Sequence, residues 1–358
     1  MRALKGSSSA TRAITMNAIA STASERGRLR SGSAGRRGRR EPLNMAHLAV
    51  IRRIQELKRQ KNAVILCHNY QREEIYPVAD FIGDSLGLCE QAMKASSDII
   101  IFSGVYFMAE SAAILNPGKK VIIPSKDAGC ALADMITAEA LREEKLKYPD
   151  AAVVCYVNST AEVKAESDIC CTSSNAVEVV RSLPERRILM VPDKNLASFV
   201  AGQVPDKEII AWDGFCPIHH RITAEYLKSA LENRPHAKII AHPECRDDVR
   251  EMADYVVSTT KMVEVAREDP AEEFMVITEC GMINKLKQEL PHKKFYTLCS
   301  LCFDMKKITL ETIENALRTG EHEVTIPEPT RQRAHRAFQR MFDVSARVGI
   351  GLHLMEMT

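Results

Sequence analysis

Three cysteines in this 358-residue chain recur at a fixed interval: Cys130, Cys216 and Cys302 lie 86 residues apart. Each stands in a loop-forming context, Asp127-Ala-Gly-Cys130, Asp213-Gly-Phe-Cys216-Pro and Cys299-Ser-Leu-Cys302, and loops after strands are where ligands are presented. Thiolates suit zinc and iron–sulfur clusters. A structural zinc site wants four closed ligands, usually from short Cys-x-x-Cys knuckles, and only Cys299 and Cys302 have that spacing. Three thiolates on a cubane instead leave one iron open as a Lewis acid for a substrate oxygen. The interval selects Cys302 within the pair; Cys299 is then a spare thiol that could form a redox disulfide. Cys67, Cys89, Cys155, Cys245 and Cys280 read as small buried hydrophobes. The adjacent Cys170 and Cys171 face opposite ways on a strand.

The elements that must carry these residues are legible as alternating patterns. Short β-branched runs at 63–68, 99–103, 121–124, 152–157, 187–191, 238–242, 274–278 and 294–297 read as buried strands. Amphipathic segments such as 138–147, 224–232 and 282–289 lie between them. That alternation indicates an α/β protein with parallel sheets and right-handed crossovers. The repeat extends beyond the cysteines. Each follows a short strand introduced by a lysine (Lys120, Lys207, Lys294), and about sixty residues earlier an apolar strand ends in polar groups. Those ends are His68-Asn69-Tyr70, Tyr156-Val157-Asn158 and His242-Pro243-Glu244, and strands opening at Asp168 and Asp254 repeat 86 apart. Such periodicity predicts repeated units: three αβα units with short parallel sheets, related by a pseudo-threefold axis. Their polar strand ends should converge on a central cavity, because functional groups gather beyond the carboxyl ends of parallel strands. The expected units are 45–133, 134–220 and 221–322. A helix within 323–358, with apolar Ala334, Phe338, Met341 and Phe342, is expected to pack back on the first unit.

Charge excludes some classes. Residues 1–40 carry ten basic side chains against Glu25, leaving the remaining chain at −7 within a total of +2. The mildly acidic body gives no reason to expect nucleic acid. The Ser-, Gly- and Arg-rich arm, 1–44, has no apolar periodicity and is expected to be disordered. It is compatible with an extension before a start at Met45, an organelle transit peptide or a basic nucleic-acid arm. No apolar run reaches spanning length, so no membrane helix is expected. Eleven cysteines in a chain this long do not suggest a disulfide scaffold; a reducing compartment, the cytoplasm, fits.

Six motifs, in order, carry a family resemblance: His68-Asn-Tyr-Gln, Ala79-Asp-Phe-Ile-Gly-Asp-Ser85, Gly104-Val-Tyr-Phe-Met-Ala-Glu110, Tyr156-Val-Asn-Ser-Thr160, Pro192-Asp-Lys-Asn-Leu196 and His242-Pro-Glu-Cys245. Over about residues 46–345 the chain resembles the quinolinate synthases. The resemblance implies a triplicated αβα fold with a [4Fe-4S] cluster held by one cysteine per unit. It implies condensation of iminoaspartate with dihydroxyacetone phosphate to quinolinate, and a functional link to the aspartate-oxidising enzyme that supplies iminoaspartate. Carried over by motif, His68, Tyr70, Ser85, Tyr156, Asn158, Ser173, His219, His242, Glu244, Ser258 and Thr259 are implied to contact substrate. Glu244, Tyr156, His242 and Tyr70 are the implied proton carriers. Ser173, Ser258 and Thr259 precede helical runs, where amides and hydroxyls bind anions or simply cap the helix. After Ser258-Thr259 the family has small residues, whereas Thr260-Lys261 stands here; Lys261 is either a charge for substrate anions or an outer-face residue. The diphthamide-synthesis proteins share a three-unit plan with a cysteine in each and cleave S-adenosylmethionine, but the motifs at His68, Tyr156 and His242 argue against that reading.

Overall fold

The computed structural model describes residues 45–350; the basic arm and the last eight residues lie outside them. Twelve strands form three four-stranded sheets. The first holds β1 (Ala63–His68), β2 (Phe81–Gly83), β3 (Ile99–Ser103) and β4 (Lys120–Ile122). The second holds β5 (Ala152–Tyr156), β6 (Ile169–Cys171), β7 (Arg187–Val191) and β8 (Glu208–Ala211). The third holds β9 (Lys238–Ala241), β10 (Tyr255–Val256), β11 (Glu273–Ile277) and β12 (Lys294–Thr297). Their orders are β2-β1-β3-β4, β6-β5-β7-β8 and β10-β9-β11-β12, all parallel. One topology therefore occurs three times, as the interval implied. β1 and β5 are buried along their whole length, which is why they read as continuous apolar runs rather than alternating ones.

The amino ends of the three sheets are built alike. Asp80, Asp168 and Asp254 each accept the backbone N–H of the residue fifteen earlier, at 2.7, 2.8 and 2.8 Å. Each also donates its own N–H to that residue's carbonyl. Lys119, Lys207 and Lys293 each donate to the carbonyl closing a helix, those of Ala95, Leu183 and Asp269, where a cation satisfies the orphan acceptors and the dipole together. The repeated lysines are thus Lys119 and Lys293 rather than their neighbours: Lys120 and Lys294 turn outward to Glu323 and Glu273.

Two returns of the chain close the body. The helix Leu310–Thr319 packs on the helix Met45–Lys61, with Arg53 paired to Glu314 at 2.5 Å, and Val324 donates to Val121 O at 2.8 Å. The last helix, Glu328–Arg347, corrects one expectation: it bridges the first two units instead of docking on the first alone. Its buried stripe of Ala334, Ala337, Phe338, Met341 and Val344 fills the seam between the helices Tyr106–Leu115 and Ala161–Ala165. There the ammonium of buried Lys164 lies 5.4 Å from the Phe107 ring and 6.0 Å from Phe338. Second-unit partners dominate: Asn175 donates to Ser345 Oγ, Arg340 to Asp168 O, and Arg333 pairs with Glu166. No described helix is long and apolar enough to cross a membrane.

Candidate active site

Beyond the carboxyl ends of the three sheets lies one cavity of about 230 Å³. Cys130, Cys216 and Cys302 all line it, one from each repeat. His68, Tyr70 and Ser85 from the first unit, Tyr156, Asn158, Ser173 and His219 from the second, and His242, Glu244 and Thr259 from the third line it too. Ser258 is the exception among the expected residues. It is buried behind this wall at the start of the helix Thr259–Glu268, and its hydroxyl makes no capping bond. Lys261 lies on the outer face of that helix, paired with Glu264 at 2.6 Å.

A chain of short contacts crosses the cavity wall and joins all three units. Glu244 Oε2 lies 2.7 Å from His219 Nδ1 and 3.4 Å from His242 Nδ1, while Asn158 Nδ2 donates to Glu244 Oε1 at 3.3 Å. The other His219 nitrogen, Nε2, meets Thr278 Oγ1 at 2.8 Å, and the same hydroxyl meets Tyr70 OH at 2.6 Å. The His219 and His242 rings stack at 4.6 Å. Burial pushes the Glu244 carboxyl upward, but His219 and His242 outweigh it and hold Glu244 below the usual carboxylate range. Burial keeps His242 and His68 neutral, His68 falling to about 3 with help from Lys306 and His242. Burial and Glu244 raise the phenol of Tyr156, and burial that of Tyr70, so both remain protonated donors. The wall thus offers an ionised carboxylate, neutral imidazoles and protonated phenols within one apolar enclosure, the ingredients of general acid–base chemistry.

The three thiols are candidate metal ligands by residue type. Burial raises each of them, Cys130 to about 12. Half-buried in the cavity wall, they are neutral as thiols, and a bound cationic group is what would turn such thiols into thiolate ligands. A second donor set shares one member: the ligand atoms of Cys216, His219 and Glu244 all lie within 4.8 Å of one another. Cys299, by contrast, is exposed, in left-handed conformation with φ 53°. Its thiol sits beside that of Cys280, which burial, Glu279 and Cys299 push up to about 11.

Several residues in or just behind the wall escaped the sequence reading. Thr278 is the hydroxyl between Tyr70 and His219. Asp84 caps the helix Ser85–Lys94 through Gly87 N and accepts Ser174 Oγ at 3.1 Å. Glu279 and Lys306, an ion pair at 3.2 Å, stand behind Cys302. Thr278-Glu279 and Pro192-Asp193 are 86 residues apart, so the repeat itself held a signal for the pair. Arg221 lies at the wall as well.

Residues 52–343 match the family model described as quinolinate synthetase A protein. Among curated relatives, the quinolinate synthase of Alkaliphilus metalliredigens is 51% identical over 297 residues, covering 82% of this chain and 98% of that protein. Those of Methanosarcina barkeri and Caldicellulosiruptor saccharolyticus are each 50% identical, covering 85% and 82% of this chain and 100% and 98% of their own lengths. With the family match spanning most of the described body and the shared length nearly complete, the chain belongs to the quinolinate synthetase A family and is an enzyme of that type.

Proposed function

We propose that this enzyme condenses iminoaspartate with dihydroxyacetone phosphate to give quinolinate, phosphate and two waters, on the route to NAD. The observation that carries the reading is the convergence of three 86-spaced cysteines with Tyr70, Tyr156, His219 and Glu244 on one cavity. Cys130, Cys216 and Cys302 would hold a [4Fe-4S] cluster. When bound, it supplies an open iron that acts as a Lewis acid toward a substrate oxygen.

The chain's own groups divide the remaining work. Ser85 and Thr259 each open a helix of ten residues, a position where side-chain hydroxyls and first-turn amides suit the carboxylates and phosphate of the substrates. Ser173 adds a hydroxyl from the loop after β6. Joining the two substrates, expelling two waters and aromatising the ring all require proton transfers. Glu244 is the carboxylate placed to steer them, oriented by Asn158 and paired with His219 across 2.7 Å. Tyr70 and Tyr156 hold protons available for departing oxygens. Iminoaspartate implies a supplier that oxidises aspartate. Neither nucleic acid nor membrane has a role in this reading, and the reducing cytoplasm suits the cluster.

Anaerobic purification, iron and sulfide analysis, and an assay for quinolinate from the two substrates test the reading together. About four irons per chain with quinolinate formed is the expected result. One zinc per chain without sulfide would favour the Cys216–His219–Glu244 donor set. A cluster without quinolinate would remove the assigned reaction.

A further inference from the structure

The residue two places beyond β3, β7 and β11 is Val105, Asp193 and Glu279 respectively. The two carboxylates make the same pair of bonds. Asp193 Oδ2 accepts the backbone N–H of Cys216 at 2.9 Å and Oδ1 that of Leu196 at 2.8 Å. Glu279 Oε1 accepts the backbone N–H of Cys302 at 3.2 Å and Oε2 that of Gly281 at 2.6 Å. In each case the cysteine is 23 residues downstream, and the second bond goes to the start of the following helix. A backbone bridge accompanies each, Asp193 with Gly214 and Glu279 with Ser300. Both carboxylates are almost wholly buried, at 2% and 1% exposure. The surroundings leave little room to relax: a Cβ on Gly214 would lie 2.3 Å from Pro192 O, and one on Gly281 2.6 Å from Glu279 Oε2. A buried acceptor that ties strand end, helix start and loop at once fixes all three, because each bond it makes is costly to leave unmade.

We propose that Asp193 and Glu279 are positioning residues that set the Cys216 and Cys302 loops, each by holding the cysteine's own backbone amide, so that two of the three thiols are placed before any metal arrives. The proposal rests on the three-cysteine ligand reading for its consequence but not for its geometry. Amides committed to carboxylates are also withheld from sulfur. Hydrogen bonds to cluster sulfurs tune the potential, so releasing either amide should alter the cluster's electronic signature as well as its retention. In the first repeat apolar Val105 stands in the corresponding place, and among the described residues no carboxylate meets the Cys130 amide.

The test has two arms on the full chain. In the cluster-free protein, the alkylation rate of each cysteine is mapped by mass spectrometry. Asp193→Ala should speed labelling of Cys216 several-fold and spare Cys302; Glu279→Ala should do the reverse. In the reconstituted protein, the same variants should lose iron to a chelator about 10- to 100-fold faster and shift the reduced cluster's electron-paramagnetic spectrum. Asp193→Asn and Glu279→Gln, which keep one acceptor of two, should fall between. Asp168→Ala and Asp254→Ala break a bond of the same kind at the amino ends of the sheets, and should lower the melting temperature without either effect. Faster labelling of both cysteines in either variant would mean general loosening and overturn the proposal, as would unchanged labelling and retention. If the unsubstituted chain takes up no cluster, the ligand reading fails, and the labelling pattern still decides the positioning role.

Discussion

The two ends of the sheets have followed opposite courses. At the amino ends, the aspartate clamp and the lysine that closes a helix occur in all three repeats with nearly the same distances. At the carboxyl ends, equivalent positions have diverged: His68, Tyr156 and His242, three residues beyond the clamped amides, are one set, Tyr70, Asn158 and Glu244 another, and Val105, Asp193 and Glu279 a third. The amino ends must only start a strand and satisfy its first amides, a task identical in each unit. The carboxyl ends face one another across a cavity, where three copies of one side chain would present three like charges or three like donors. An asymmetric substrate needs different groups on different sides. The cysteines stay equal there, as the proposed cluster with its near-identical corners would require.

That contrast is broken most severely by removing a cysteine ligand. Cys130→Ser, Cys216→Ser and Cys302→Ser should each abolish or sharply reduce iron binding and quinolinate formation, while Cys299→Ser leaves both largely intact; iron analysis of purified variants checks this. Loss with Cys299→Ser and retention with Cys302→Ser would show that the interval chose the wrong thiol. Next in size is Glu244→Gln, which keeps shape but removes the ionised partner of His219. The turnover number should fall by about 10²–10⁴-fold at unchanged iron content, measured in saturating substrate. A variant retaining more than a tenth of the turnover would remove Glu244 from proton transfer.

Sequence patterns reached the parts of the molecule that repeat or that resemble strands in composition. The order of elements, the parallel sheets and the helix over Ala138–Lys147 were readable because buried parallel strands and amphipathic helices leave periodic apolar marks. β2 was not read as a strand: it has three residues, Phe81 is exposed, and Gly83 ends it, so it leaves no such mark. The adjacent pairs Lys119-Lys120 and Lys293-Lys294 are indistinguishable until the backbone shows which turns toward a helix end. Thr278 and Lys306 were missed for a related reason. A threonine after a strand and a lysine four residues after a cysteine usually face water, and only the convergence of three units turns them inward. The docking of the last helix was legible only in part: its apolar stripe and its contact with the first unit were expected, but the seam it fills exists only once two units are side by side.

At the amino ends the expected effects are on stability alone. Asp254→Ala leaves the Ile239 amide without its side-chain acceptor and should cost about 1–3 kcal/mol with turnover per iron unchanged, as a melting curve beside an assay would show. Lys207→Met is milder still. Its ammonium donates to Leu183 O at 2.5 Å and Glu185 O at 2.9 Å, but it is only half-buried, so water can replace it at both carbonyls. The loss should be about 0.5–1.5 kcal/mol, read as a small fall in melting temperature. Because Lys207 precedes β8, the strand leading into the Cys216 loop, any strain it transmits along that strand would appear as weakened iron retention. Unchanged retention at a lowered melting temperature would mean the two ends of one strand are energetically separate. That separation is what lets the carboxyl end diverge while the amino end stays the same.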